Sequence, residues 1–127
     1  MSKDIINSSN APEPIGPYSQ AVKAGGFLFL SGQVALKPGT GELVISDITA
    51  ETNQVMKNLE AVLSEAGLNF SHVVKSTIFL KEMSSFGEVN AEYGKYFEKD
   101  FPARETVAVK TLPKDVNVEI SMIALSS

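Results

Sequence analysis

Alternation with a period of two dominates the C-terminal end of the chain. Val116, Val118, Ile120, Met122 and Ala124 fall on one side, and Asn117, Glu119 and Ser121 on the other. That is the pattern of a strand with one face on a core and one face turned away from it. The same reading gives strands over residues 18–24, 27–34, 73–80 and 101–109, and a short edge strand around Ile5-Ile6. Phe27-Leu28-Phe29-Leu30 is apolar on both sides. It is therefore expected to be covered twice, by helices on one face and by another subunit on the other. Gly25-Gly26 makes a hairpin turn between the second and third strands. Lys37–Gly41 and Lys110–Asp115, the latter containing Pro113, make two further turns.

Helical spacing replaces alternation in two places. After Asp47, a good N-cap, Ile48, Val55, Leu59, Val62, Leu63 and Ala66 share one stripe. Glu51 in the first turn suits the helix dipole, and Gly67 ends the helix. Ser84 or Ser85 opens a second helix, with Phe86, Val89, Tyr93, Tyr96 and Phe97 as its apolar side and Asn90 on its polar side. The prolines and glycine of Asn10–Pro17 exclude a helix there and predict an ordered loop or extended arm. The order β-β-β-α-β-α-β-β predicts an α+β fold, a single mixed sheet with two helices on one face. The short link between the last two strands makes them expected neighbours, with Arg104 and Glu119 on the same uncovered face.

Length and composition narrow the possibilities. A chain of 127 residues, 43% hydrophobic and 20% charged, predicts one globular domain over residues 1–127. Its formal charge of −4, with no basic block, makes a nucleic-acid partner unexpected. The absence of cysteine removes disulfides, thiol nucleophiles and thiolate metal sites. One histidine, His72, argues against a histidine metal centre or a Ser-His-Asp triad within the chain, and, with no partner signature beside it, it reads as structural. No run is long enough to span a membrane, and Met1–Asp4 lacks the apolar core of a signal peptide. The expectation is a cytoplasmic protein with no membrane contact, no metal and no cofactor.

Two charged residues carry the candidate chemistry. Arg104 follows Phe101-Pro102-Ala103 at the mouth of a strand. Its guanidinium keeps its charge and its fork matches the two oxygens of a carboxylate, so it is either an anion clamp or an interface ion pair. Glu119 is either a solvated strand carboxylate or a partly desolvated group that holds or deprotonates water. Tyr18 offers a hydrogen bond or a packing aromatic. Ser31-Gly32 offers a hydroxyl with a close backbone approach, or a bulge ending the strand. Tyr93, Tyr96 and Phe97 have core spacing.

Gly16-Pro17-Tyr18-Ser19-Gln20, Ser31-Gly32-Gln33-Val34, Pro102-Ala103-Arg104, Leu112-Pro113-Lys114-Asp115 and Val118-Glu119-Ile120 together resemble the RidA (YjgF) family, also described as the endoribonuclease L-PSP family. The resemblance runs through essentially the whole chain. It implies a chorismate-mutase-like fold and a homotrimer whose sheets form a central barrel with clefts between subunits. It also implies cofactor-free hydrolysis of reactive enamines and imines such as 2-aminoacrylate to 2-keto acids and ammonia. By resemblance, Arg104 grips the substrate carboxylate and Glu119 positions or activates water. Tyr18, Ser31, Gly32, Asn90 and Thr106 fall at positions lining the cleft. Thr106 stands where many members have cysteine, and Glu105 where a small or apolar residue is usual. The stretch from Asn90 to Arg104 looks shorter than in several members, and Val107 and Ala108 replace commoner neighbours. Two alternatives remain open: an endoribonuclease or translation inhibitor, and a non-enzymatic trimer that senses small ligands.

Overall fold

The computed structural model describes residues 2–126; Met1 and Ser127, the ends of the expected domain, lie outside the described residues. The strands are β1 (Asp4–Ile6), β2 (Ala21–Ala24), β3 (Phe27–Gln33), β4 (Val73–Leu80), β5 (Ala103–Ala108) and β6 (Val118–Leu125). The helices are α1 (Ile48–Glu65) and α2 (Phe86–Gly94). All strands join one mixed sheet in the order β1-β2-β3-β6-β4-β5, in which only β4 and β5 pair in parallel. Both helices pack on one face. Val55, Leu59, Val62 and Leu63 of α1 and Val89 and Tyr93 of α2 meet Leu28, Leu30, Ile78, Leu80, Val118, Ile120 and Met122 of the sheet. Among the described residues, no helix is long and apolar enough to cross a membrane.

The expected element order is present, with shorter elements. Tyr18 and Ser19 lie in a loop ahead of β2, and Val116 and Asn117 precede β6. Asp47 caps α1 through its Oδ1, which accepts from the Ala50 amide at 2.8 Å. Gly67, with φ of +75°, takes the left-handed turn after the helix, where the Leu68 and Gly67 amides bond back to Leu63 and Ser64. A short 3-10 turn, Met83–Ser85, runs straight into α2, so neither serine caps it with a side-chain hydrogen bond. Tyr96 and Phe97 lie past the end of α2 but join the core against Phe70, with ring centroids 5.3 and 5.4 Å away.

The expectation that β5 and β6 are neighbours is wrong. The connection of residues 109–117 bridges the end of β4. The Val109 amide bonds to Leu80 O at 2.9 Å, and the Lys81 amide bonds to Asn117 O at 3.0 Å. Lys114 and Asp115, at φ of 58° and 54°, make the bend. β6 thus inserts between β3 and β4, and β5 is left as an edge strand.

A buried side chain whose role is not legible from the pattern of the chain fixes β6 in place. Glu51 of α1 has no exposure to solvent. Its Oε2 accepts from the amides of Asn117 and Val118 at 2.7 and 3.0 Å, and its Oε1 accepts from Asn117 Nδ2 at 2.8 Å. Its place in the first turn serves this bond set as well as the dipole. Removing it leaves buried donors without partners. Glu51→Ala is therefore expected to destabilise the fold by about 3 kcal/mol, and Glu51→Gln by roughly half of that. Urea unfolding midpoints test this, and an unchanged midpoint in Glu51→Ala would refute it.

Candidate active site

Arg104 and Glu119 lie on opposite faces of the sheet. In register, Arg104 pairs with Ser76 and Ser76 with Met122, a core residue under the helices, so Arg104 points to the helix side. Glu119 pairs with Phe79, three residues further along β4, and therefore points to the uncovered side. The expected shared face does not exist within one chain: β5 pairs with β4 instead of β6, and the two registers along β4 put Arg104 and Glu119 at positions of opposite parity. Alternation does put Thr106 on the side of Arg104 and Glu105 on the other.

The arginine half of the site is built by α2. Phe86, Asn90 and Tyr93 recur at i, i+4 and i+7, one stripe of the helix facing the edge strand. Asn90 thus shares the side of Phe86 and Tyr93, contrary to the separate polar face read from the sequence. Its Oδ1 accepts from Arg104 Nη1 at 2.8 Å. The guanidinium carbon lies 5.6 Å from the Phe86 ring centroid and 5.2 Å from that of Tyr93. Arg104 forms no ion pair among the described residues. Beside it opens a cleft of about 500 Å³ lined by Asn90, Tyr93, Gly94, Phe101, Pro102 and Arg104. Thr106 is not among the lining residues, and its Oγ1 is buried without a hydrogen-bond partner among the described residues. A comparable cleft of about 450 Å³, between residues 69–71 and 96–100, contains none of the candidate site residues; Tyr96 and Phe97, which line it, belong to the core.

Tyr93 itself is held from below. Its hydroxyl donates to Ser76 Oγ at 2.9 Å, and the residue is 4% exposed. Burial pushes its pKa up, opposed by the bond to Ser76 and the nearby Arg104 charge.

The glutamate half lies at the β3–β6 pairing. The register slips between Leu30 and Gln33, so Ser31-Gly32 forms a bulge, one of the two readings of this pair, but within β3 rather than at its end. Ser31 Oγ donates to Ser19 O at 2.6 Å, tying the bulge to the loop before β2. Gly32 packs against Glu119: a Cβ there would overlap Oε2 and come within 2.9 Å of Cδ. Bulge and glycine together thus make the space that the carboxyl group occupies. Glu119 is half-buried, and desolvation raises its pKa above the usual carboxylate range. Tyr18 stands in the preceding loop, half exposed, and its hydroxyl oxygen accepts weakly from the Ile15 amide at 3.4 Å. Gln20, which the sequence reading did not single out, holds this loop. It is buried, accepts from the Ser8 amide and donates to Ser8 O and Pro12 O.

Glu105 does not reach Arg104. On the uncovered face it accepts from Thr77 Oγ1 at 2.7 Å and pairs with Lys75 at 3.2 Å, and these two contacts lower its pKa, Thr77 more than Lys75. His72 Nδ1 accepts from the Asn69 amide at 3.1 Å in a local capping arrangement, a structural role. No group of three or more His, Cys, Asp or Glu side chains among the described residues is placed to hold a metal ion.

Comparison with known proteins places this geometry in a family. The chain is 50% identical to a RutC family protein of Pyrococcus horikoshii, across 96% of this chain and 97% of the relative. A crystal structure of a protein of the conserved Rid family from Yersinia pestis superposes with a TM-score of 0.95 at 47% identity, covering 98% of this chain and 99% of that one. The structure of Escherichia coli TdcF with bound serine superposes with a TM-score of 0.93 at 36% identity, covering 98% and 99%. The model described as Endoribonuclease L-PSP matches residues 8–126, and the chain belongs to this family, which includes the Rid and RutC proteins.

Proposed function

We propose that the protein hydrolyses 2-imino acids and their enamine tautomers, of the 2-aminoacrylate type, to 2-keto acids and ammonia, without a cofactor. The carrying observation is Arg104, held by an amide and two rings with no carboxylate paired to it among the described residues. A guanidinium so placed beside an open cleft suits a small carboxylate ligand. The relative TdcF, solved with serine, binds a molecule bearing such a group.

A site containing both Arg104 and Glu119 needs a second copy, because one chain presents them on opposite faces. The uncovered face carries Phe27, Phe29, Val107 and Leu125, each more than a third exposed. Apolar surface of this kind favours association. The assembly proposed is a homotrimer, with the edge strand β5 of one subunit brought to the Glu119–Gly32–Tyr18 end of the next. The substrate carboxylate is gripped by Arg104. Glu119 takes a proton from water as the water oxygen adds to C2, and delivers it to the imine nitrogen, giving a carbinolamine. The same carboxylate then moves the hydroxyl proton to nitrogen. The C–N bond breaks, ammonia leaves and the 2-keto acid remains.

A second reading follows from the description of the matching family as an endoribonuclease. The formal charge of −4 and the single arginine disfavour it. Single-stranded RNA incubated with the protein should remain intact, and cleavage that is lost in Arg104→Ala would favour this second reading.

Arg104→Ala should lose about 100-fold or more in kcat/KM on imines generated in solution, with the mass of three chains retained by light scattering. Arg104→Lys keeps the charge without the fork and should recover only a small part. Full activity in Arg104→Ala, or an active monomer, would overturn the proposal.

Glu119 gives a pH test. As the base it must be ionised, so the acid limb of kcat/KM should lie above the ordinary glutamate range of about 4.3, and Glu119→Gln should remove most of the rate. Its raised pKa means that the fold favours the protonated form. That stabilisation is fully present below the unfolded pKa and is lost as pH rises through the folded pKa. Glu119→Gln should therefore melt higher than wild type at neutral pH, with the difference vanishing in acid. The reverse pH trend would count against a desolvated carboxyl group.

A further inference from the structure

We infer that Phe86 and Tyr93 are positioning residues for Arg104, fixing the guanidinium so that its Nε–Nη2 edge is left for a ligand carboxylate. This rests on the reading of Arg104 as the carboxylate clamp. Phe86 and Tyr93 are two helical turns apart on α2, about 10 Å of rise along its axis. The guanidinium carbon, 5.6 Å from one centroid and 5.2 Å from the other, sits between them. Asn90, placed between the rings on the same stripe, takes Nη1. Nε and Nη2 have no acceptor among the described residues. They share one edge of the guanidinium plane and are spaced for the two oxygens of a carboxylate.

The ring of Tyr93 is fixed in turn. Its hydroxyl is anchored on Ser76, which is fully buried and is the register partner of Arg104 on β4. Strand pairing, the Tyr93–Ser76 bond and the ring contact therefore close a loop around the arginine. A long side chain held before ligand arrives loses less freedom on binding. The rings' attraction for the cation holds it without using the N–H groups that the ligand needs.

The test exploits a compositional fact: Arg104 is the only arginine in the chain. In the 15N-labelled full-length protein it gives the one arginine Nε–Hε resonance. That resonance should lie away from the free-arginine position through ring currents. Phe86→Leu, at an exposed position outside the core, should move it toward the free value. The same change should weaken binding of pyruvate, used as the carboxylate probe, about fivefold, the size of one cation–π contact. KM for the imine should rise by a similar factor with kcat changed less than twofold, and Phe86→Tyr should restore all three readouts. Tyr93→Phe keeps the ring and should keep the resonance shifted. An unmoved resonance and unchanged pyruvate affinity in Phe86→Leu would overturn the inference. If wild type binds pyruvate but hydrolyses no imine, the proposed reaction falls, while the positioning role is still decided by the resonance and the pyruvate affinity. No pyruvate binding by wild type overturns both.

Discussion

Successive side chains of a strand must point to opposite faces, and β4, paired on both sides, carries that rule across the sheet. Ser76 aligns Arg104 with the helix layer, and Phe79 aligns Glu119 with the uncovered face. A one-residue slip in either pairing would move every side chain of that strand to the wrong face. The separation of the two charged groups is therefore a property of the sheet and not of a rotamer. It also limits the chemistry. Within one chain Arg104 can hold a carboxylate and Glu119 can hold a water, but the two cannot meet on the same small molecule. The proposed homotrimer answers a geometric requirement as well as the need to cover Phe27, Phe29, Val107 and Leu125.

Buried polar side chains fix what alternation leaves free. Glu51 fastens the start of β6, two residues ahead of Glu119. Gln20 fastens the loop that carries Tyr18 and Ser19. Asn58 of α1 donates to Val34 O and Leu36 O and so holds the chain as it leaves β3 beyond the bulge. Each satisfies backbone groups that a loop would otherwise bury without partners. All three hold segments next to glutamate-side residues of the candidate site. The arginine side is held by helix packing instead, through the stripe on α2. The two halves thus depend on different parts of the core, and Glu51→Ala is expected to disturb the first more than the second.

The sequence carried the elements and their order because hydrophobic periodicity is local. Alternation in 116–124 and the stripe from Val55 to Leu63 were enough to place core faces correctly. Strand order was not legible. No pattern within β5 or β6 encodes which neighbour it bonds, and a link of residues 109–117 is long enough to bridge one strand. Because the pairing was misread, so was the shared face of Arg104 and Glu119. Glu51 was missed because a glutamate in a first helical turn already has an adequate explanation in the dipole. Asn90 was assigned to a polar face although its spacing from Phe86 and Tyr93 puts it between them. That signal was present in the sequence and needed only the i, i+4, i+7 count. The family motifs named Arg104 and Glu119, but said nothing about how either is held.

The chain has 15 acidic residues and one arginine, so an unpaired arginine needs a reason. Glu105, next in sequence, is turned to the opposite face by strand alternation and taken up by Lys75 and Thr77. Glu92, next to Tyr93 on α2, is taken up by Lys95 and Asn53 at 2.8 and 2.9 Å. Phe86, Asn90 and Tyr93 meanwhile surround the guanidinium with groups that attract a cation without neutralising it. Glu105 and Glu92 are thus each engaged elsewhere, and the contacts of Arg104 among the described residues are with neutral groups. Glu105, the departure from the family pattern closest to the site, does not compete for the clamp. Its effect belongs to the uncovered face, where a second copy would bury it already paired with Lys75. A lone carboxylate there would carry the full cost of desolvation, whereas the pair would enter such an interface with its charge already compensated.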